Sequence, residues 1–565
     1  MMHPTIFDTS AILNKCGVRH VVICPGSRNA PLTISFVRNE AMIRHSVVDE
    51  RSAGFIAMGI AQRSKQPVAV ICTSGSAILN LAPACAEAFY QEVPVLFISA
   101  DRPPEWTDQG DGQTIRQPNV LEPHVKKSYQ FPVDLTHPDA QWEYRRKLCE
   151  SVNEATHGIK GPVHLNIPFR EPFYPDADQE LKFSKNLQVT RLIDGDHLLP
   201  NSVRATLQQE WKQFERKVIV LGQGLPGKDL LARIREIGQQ QHIPIIADVI
   251  SNASSLPNII TQQDLFMAHP KAIEELRPDL VITIGKTLIS KNLKIALRMG
   301  SAHWHVGQNR PTDTFKNLTR IYGCDPASFI QGISAEKSQG EAYFQQWNTA
   351  EANTATRVRQ ALKGAPWSEF TFFQKLLSMI PAGSHVHLAN SMIVRYANFF
   401  TPRQKEITFH CNRGTSGIDG ATSTAVGHAV AGNERHLLIT GDLSALYDRN
   451  AFLNDLNLSD FKVIVSNNGG GGIFDLIPGP KVLQDQERQK YFETRHSFGF
   501  RDLAKEVGLS YHQLDSEAGI DDTLRNFLQR SENALLEVKT RAEINGKVFR
   551  KVKQSLKEES PFEDS

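Results

Sequence analysis

The stretch that most constrains this chain runs from His436 to Ile473, HLLITGDLSALYDRNAFLNDLNLSDFKVIVSNNGGGGI. His436–Thr440 is an apolar run of strand length, closed by Gly441-Asp442. Asp448–Asp460 is polar and helix-compatible, and Phe461–Val465 is a second apolar run, closed by Asn467-Asn468-Gly469-Gly470. This is the pattern of a strand–helix–strand unit with parallel strands. Asp442 and Asn468 stand 26 positions apart (468 − 442), at the carboxyl ends of the two strands. Ligands of open α/β sheets bind in the crevice beyond those ends. A carboxylate, an amide oxygen and a carbonyl of the following turn suit Mg²⁺, which prefers hard oxygen ligands and leaves positions for phosphate and water. The glycine run lets the main chain approach a phosphate. Turn residues at the ends of an ordinary strand–helix–strand unit would look alike, so the rest of the chain must decide.

The same alternation recurs along the chain, and we expect an α/β protein of three doubly wound parallel-sheet domains. The first domain spans 1–175, with strands at Val18–Cys24, Val47–Asp49, Val68–Thr73, Val95–Ser99 and Val163–Ile167 and helices at Glu50–Arg63 and Ser76–Tyr90. A linker at 176–200 leads to a central domain at 201–335, with strands at Val218–Leu221, Ile243–Ala247, Leu280–Ile284 and His303–Val306. A polar segment at 336–366, low in β-branched residues and read as a helical or linking connection, precedes the third domain, 367–550, and a charged tail at 551–565 is expected to fray.

Composition excludes several classes. A net charge of +2 over 565 residues gives no case for nucleic acid or a membrane surface. No apolar run reaches the roughly 20 residues that span a bilayer, and Asp8, Asn14 and Lys15 interrupt any secretory leader, so a cytoplasmic protein is expected. Seven scattered cysteines argue for reduced thiols rather than disulfides or zinc.

One motif points elsewhere. Gly222-Gln-Gly224-Leu-Pro-Gly227 follows a strand and precedes a helical pattern, and Asp248 ends the next strand 21 residues after Gly227 (248 − 227). That is nearly a dinucleotide-binding fingerprint. Against it, Pro226 sits in a loop that should donate amides. A nicotinamide- or flavin-dependent oxidoreductase is therefore the second reading.

Gly441-Asp442, the spacer and Asn467-Asn468 resemble the thiamine-diphosphate motif, with Leu443 where that motif usually carries glycine. Under this reading Glu50, at a strand-to-helix junction, would hydrogen-bond the aminopyrimidine and drive the tautomer that deprotonates the thiazolium; as an ordinary residue it would be a first-turn acid favoured by the helix dipole. Ile418, bulky among the glycines of 414–420, would wedge the cofactor into its bent form or merely fill a gap. Arg28 lies beside Ser27, Arg102 beside Pro103 and Arg413 beside Gly414, and with Arg395 these four guanidiniums suggest anionic substrates.

The resemblance widens in Pro25-Gly-Ser-Arg-Asn-Ala-Pro-Leu32, Asp49-Glu-Arg-Ser-Ala-Gly54, Thr73-Ser-Gly-Ser-Ala77, Ser99-Ala-Asp-Arg-Pro-Pro-Glu105, Asn412-Arg-Gly-Thr-Ser-Gly-Ile-Asp-Gly420 and Gly441-Asp-Leu-Ser444. Together these are similar to the 2-succinyl-5-enolpyruvyl-6-hydroxy-3-cyclohexene-1-carboxylate synthases of menaquinone biosynthesis, and Leu443 agrees with that family. The resemblance implies decarboxylation of 2-oxoglutarate on thiamine diphosphate, followed by 1,4-addition of the acyl-anion equivalent to isochorismate. It further implies that Gln113 lies near the aminopyrimidine with Glu50, and that Gly441, Asp442, Ser444, Asn468 and Gly470 meet the diphosphate end. Asp442, Asn468 and the Gly470 carbonyl would hold Mg²⁺ or Mn²⁺. Ser391, Arg395 and Arg413 would meet substrate carboxylates from the third domain, Ser27, Arg28 and Arg102 from the first, and Lys291 from the middle one. A homodimer or homotetramer with active sites between chains is implied. A related carboligase or decarboxylase for another 2-oxo acid remains the alternative.

Overall fold

The computed structural model describes residues 3–176, 181–298, 300–333, 340–402, 406–454, 456–476 and 479–563. Parts of the expected linkers (177–180 and 336–339) and the last two residues of the expected tail lie outside the described residues.

Three six-stranded sheets follow one another along the chain, every neighbouring pair parallel. The first runs, edge to edge, Ile43–Ser46, His20–Ile23, Val68–Cys72, Val95–Asp101, Val163–Pro168, Ser128–Gln130. The third runs Thr408–His410, His385–Leu388, His436–Gly441, Phe461–Asn467, Ala534–Lys539, Ser510–Leu514. Numbered within their own units, both have strand order 2-1-3-4-6-5. The middle sheet runs Leu318–Tyr322, Ala302–Val306, Leu280–Ile284, Lys217–Leu221, Ile245–Ala247, Ile259–Ile260, which is the dinucleotide-fold order 3-2-1-4-5-6 read from the other edge. Central strands such as Val68–Cys72, Val95–Asp101, Leu280–Ile284 and Phe461–Asn467 are buried on both faces because helices cover both sides.

The structure corrects several expected elements. The second strand is Ile43–Ser46 rather than Val47–Asp49; its register against His20–Ile23 ends before Val48, which is exposed. Ser76–Tyr90 is two helices, Ala77–Asn80 and Ala82–Gln91. In the opening stretch the helix is Asp442–Tyr447, not Asp448–Asp460, which holds only the 3₁₀ turn Arg449–Phe452 among its described residues. The segment at 336–366, expected to be helical or linking, contains a 22-residue helix, Glu341–Leu362. Its Trp347 and Ala350 enter the middle core, while Val358 and Leu362 enter the third. The expected fraying tail is docked. Helix Ala542–Glu558 buries Val548, Phe549, Val552 and Leu556, Arg357 donates to the Glu559 and Glu563 carbonyls, and Phe562 packs on the middle core.

One contact joins the first and third units. Helix Glu50–Ser64 starts under an Asp49 cap, whose carboxylate accepts from the Ser52 amide at 3.2 Å, and ends at Lys65 with φ 57°. It lies along helix Ala421–Val430, Phe55 against Gly420, Gly59 against Gly427 and Gln62 hydrogen-bonded to His428 at 3.0 Å. These pairs advance together, so the helices run side by side in the same direction. Glycine is required at the crossing. A Cβ on Gly427 would sit 2.2 Å from the Ile56 carbonyl oxygen, and one on Gly59 2.2 Å from that of Thr424. Phe55, Ile56 and Ile60 consequently share one apolar core with Ala425, Val426 and Val463. We expect Gly427→Ala to force the helices apart at a cost of about 1–3 kcal/mol, the range for overpacking, read as a lowered midpoint in urea. An unchanged midpoint would show that the crossing yields freely.

Candidate active site

Strands His436–Gly441 and Phe461–Asn467 are neighbours, with Gly441 opposite Ser466, so Asp442 and Asn468 leave adjacent strand ends. Asp442 is the first residue of its helix and is buried. Its Oδ2 accepts from the amides of Gly469 (2.9 Å) and Gly470 (3.0 Å), its Oδ1 from that of Leu443 (2.7 Å). The His496 Nε2 lies 3.3 Å from Oδ2. Burial pushes the Asp442 carboxyl up, opposed by these amides and by His496. Gly469 and Gly470 carry φ of 75° and 149°, and a Cβ on Gly470 would meet the Glu493 carbonyl oxygen at 2.6 Å. The Gly470 carbonyl accepts from Gly472 N at 3.0 Å, leaving a lone pair.

The Asn468 amide nitrogen donates to Glu369 Oε1 at 2.9 Å, while its Oδ1 is buried without a hydrogen-bond partner. Buried polar atoms are normally satisfied. This one, beside a buried carboxylate and a free carbonyl lone pair, fits a hard divalent cation. Among the described residues no group of three or more His, Cys, Asp or Glu side chains could hold a metal ion. Asn467 has a structural task instead, donating to the Phe498 carbonyl (2.9 Å) and Glu537 (2.7 Å).

The Ile418 loop is tied to this end. Ser444 Oγ donates to the Ile418 carbonyl at 3.0 Å, and Asn390 Nδ2 donates to the carbonyls of Asn412 (2.6 Å) and Gly417 (2.7 Å). Arg413 donates to Asn390 Oδ1 at 2.9 Å. Ser391 has φ 67°, ψ −128°, and its carbonyl accepts from Arg395. Such backbone strain in a non-glycine residue concentrates at functional sites. Burial, and then the neighbouring charge of Arg413, push the Arg395 guanidinium below its ordinary value. Among the described residues neither arginine has an ion-pair partner, so the two invite an anion. From the middle unit, Lys291 starts a helix under the Ser290 cap, and Lys294 shares with Arg413 a cavity of about 260 Å³.

The first unit holds a second group. Glu50 Oε2 accepts from Asn80 at 3.2 Å. Gln113 has φ 53°, and its main chain covers Gly75. Arg28 is buried, donating to the Phe169 carbonyl at 3.0 Å with its guanidinium 4.2 Å from the Phe173 ring centre; Ser27 beside it is exposed. Arg102 is paired with Asp111 at 2.7 Å and donates to the Gly112 carbonyl. Among the described residues no hydrogen bond or ion pair links Glu50 to Ile418, Asp442 or Asn468. The nearest tie is Arg51, which donates to the carbonyls of Asp419 (2.7 Å) and Tyr447 (2.9 Å).

The fingerprint of the middle unit has structural tasks. The amides of Gly222, Gln223 and Gly224 donate to the carbonyls of Ile284, Thr287 and Ile250, and a Cβ on Gly222 would meet the Lys286 carbonyl oxygen at 2.1 Å. Asp248 is buried, accepting from Gln263 and from the amides of Ile289 and Ser290. Three amides of that loop are thus given to protein carbonyls, and the Asp248 carboxylate is taken up by Gln263, Ile289 and Ser290.

Sequence reasoning missed Glu369, Asn390 and His496. Each reaches the site through contacts distant in the chain, and none carries a local signal.

Residues 8–120 match the model of the thiamine pyrophosphate enzyme N-terminal TPP-binding domain, and 197–388 that of the middle domain of thiamine pyrophosphate enzymes. A curated protein of Cytophaga hutchinsonii is 40% identical over 98% of this chain and 99% of its own length. One of Flavobacterium psychrophilum is 37% identical over 97% and 98%, and one of Bacteroides fragilis 35% over 98% and 99%. All three are named 2-succinyl-5-enolpyruvyl-6-hydroxy-3-cyclohexene-1-carboxylate synthase.

Proposed function

Because the chain belongs to the 2-succinyl-5-enolpyruvyl-6-hydroxy-3-cyclohexene-1-carboxylate synthase family of thiamine-diphosphate enzymes, we propose that it joins the decarboxylated remnant of 2-oxoglutarate to isochorismate. It is a thiamine-diphosphate-dependent transferase of menaquinone biosynthesis. No helix among the described residues is long and apolar enough to cross a membrane.

The observation that carries the site assignment is the donor set of Asp442, the unpartnered Asn468 Oδ1 and the Gly470 carbonyl. Bound there, the cofactor supplies an electron sink for the carbon–carbon chemistry. Asp442, Asn468 and the Gly470 carbonyl would hold Mg²⁺ or Mn²⁺, and Gly441 and Ser444 would lie at the diphosphate end. Glu50 holds a proton-accepting carboxylate at the first turn of its helix, positioned for the aminopyrimidine, with Gln113 nearby. Ile418, fixed through Ser444, sets the bend between the cofactor rings. Ser391, Arg395 and Arg413, with Lys291, bind the dicarboxylate. Ser27, Arg28 and Arg102 hold the carboxylates of isochorismate. The site lies between chains of a homodimer or homotetramer, with Glu50 drawn from one chain and the metal donors from its partner. Loss of isochorismate absorbance on mixing protein, thiamine diphosphate, Mg²⁺, 2-oxoglutarate and isochorismate tests the reading; turnover unaffected by omitting 2-oxoglutarate would overturn it.

The arginines should separate the two halves of the reaction. A charge-assisted pair is worth roughly 1.5–3 kcal/mol, about 10- to 150-fold in affinity. Arg28 has no carboxylate partner among the described residues, whereas Arg102 has Asp111. Arg28→Ala should therefore lose more isochorismate affinity than Arg102→Ala, with CO₂ release from 2-oxoglutarate alone intact. Arg395→Ala should slow that release first. Single-turnover CO₂ release, followed by mixing with isochorismate, measures both steps, and failure of Arg28→Ala at the first would reverse the assignment.

A further inference from the structure

An asparagine can serve a cation only if its oxygen, not its nitrogen, faces the ion. Rotation of the amide by half a turn exchanges the two at little steric cost. Something must therefore fix the Asn468 amide, and the structure contains one candidate group. Glu369 is the first residue of helix Glu369–Met379, whose Ser368 cap forms a capping box with Thr371. Its main-chain amide donates to Asn545 Oδ1 at 2.9 Å, tying it to helix Ala542–Glu558. The side chain is 3% exposed. One oxygen, Oε1, accepts from Asn468 Nδ2 at 2.9 Å and from Ser466 Oγ at 2.7 Å. The Tyr396 hydroxyl lies alongside. A carboxylate oxygen accepts two such bonds, whereas the Asn468 oxygen turned toward it would meet a second acceptor. The buried, unpartnered Oδ1 on the other side of the amide is the consequence.

We propose that Glu369 is the positioning residue of the metal site: by accepting from Asn468 Nδ2 it locks the amide with Oδ1 facing the cation. This rests on the reading of Asp442 and Asn468 as metal donors. Partners that orient a ligand typically change metal affinity 10- to 100-fold when removed. The experiment is a titration of thiamine-diphosphate-saturated protein with Mn²⁺, free ion being read from its electron paramagnetic resonance signal. Glu369→Met, of similar length but unable to accept strongly, should weaken Mn²⁺ binding 10- to 100-fold. Glu369→Gln keeps an accepting Oε1 and should stay within about threefold of wild type, a shift of less than 1 kcal/mol. Ser466→Ala removes the other bond to Glu369 but leaves Asn468 held, and should also stay within about threefold.

Three results would overturn the proposal. They are Glu369→Met binding as wild type, Glu369→Gln as weak as Glu369→Met, which would make charge rather than orientation decisive, and Ser466→Ala equally weak, which would mean general loosening of the buried cluster. If Glu369→Met does not fold, Glu369→Leu takes its place with the same expected 10- to 100-fold loss and the same overturning result, while strong loss in the Gln or Ala variant still contradicts orientation. Wild type and Asp442→Ala are the references. Wild type showing no cofactor-linked Mn²⁺ binding would remove the metal reading itself, a result distinct from failure at Glu369 alone.

Discussion

Glu50→Gln is expected to bind thiamine diphosphate with near wild-type affinity and to exchange the cofactor's C2 proton about 10²–10⁴ times more slowly, the range by which a positioned acid–base group accelerates a proton transfer. The substitution preserves length and hydrogen bonding. The Asn80 amide, 3.2 Å from Oε2, can turn to serve the new side chain. What is lost is the negative charge at the aminopyrimidine. Quenched-flow exchange followed by NMR measures the effect directly, before any substrate is added. Exchange at the wild-type rate would leave Glu50 as an acid at a helix start, favoured there by the dipole and nothing more.

Asp442→Ala should weaken the binding of cofactor and metal by more than the 10- to 100-fold typical of an outer partner, because it removes the one charged donor. It also strands two amides, those of Leu443 and Gly470, which the carboxylate holds at 2.7 and 3.0 Å, while the Gly469 amide keeps Asn467 Oδ1 at 3.1 Å. Each buried donor left unmet costs about 1–3 kcal/mol, so the glycine turn should loosen even without ligand. Calorimetric titration of thiamine diphosphate at fixed Mg²⁺ reads the first effect, and amide hydrogen exchange over 469–472 reads the second. Wild-type affinity would remove Asp442 from the site. Mixing Asp442→Ala with Glu50→Gln chains adds a test of assembly. If each site draws Glu50 from one chain and Asp442 from another, hybrids contain one intact site and regain activity; if one chain supplies both, they stay inactive.

The units were legible because their strands are buried on both faces and so read as unbroken apolar runs. What misled was local polarity. Asp448–Asp460 looked helical for its charge, yet Asn450, Asn454, Asn457 and Asp460 favour turns, while Leu443, Ala445 and Leu446 just before them are the stronger helix formers. Val47 and Val48 have high strand propensity, but register against His20–Ile23 decided the strand end. The segment holding the helix at 341–362 read as helical or linking from its polar, β-branch-poor composition; what the sequence did not show is that it sits between two cores, with a narrow apolar stripe for each. Asp442, Asn468 and the Ile418 loop were visible because their spacing is local. Glu369 was not, since its meeting with Asn468 spans 99 positions and depends on how one helix end lies against a neighbouring strand. The nearly complete dinucleotide fingerprint, kept as the second reading, has a structural basis. It encodes the strand order and tight turns of that topology, and those survive when the amides are given to protein carbonyls.

The repeated strand order has a historical consequence. The two helices that cross at Gly59 and Gly427 each follow the second strand of their own unit. They are corresponding parts of one plan, and they meet each other. A single ancestral unit that paired with its own copy through this helix would, on duplication and fusion, give the present first and third units with their joint core already in place. The copies could then diverge, one keeping the carboxylate for the pyrimidine and the other acquiring the oxygen donors for the metal. The middle unit, with its different strand order, is then an insertion between two descendants of the same gene segment.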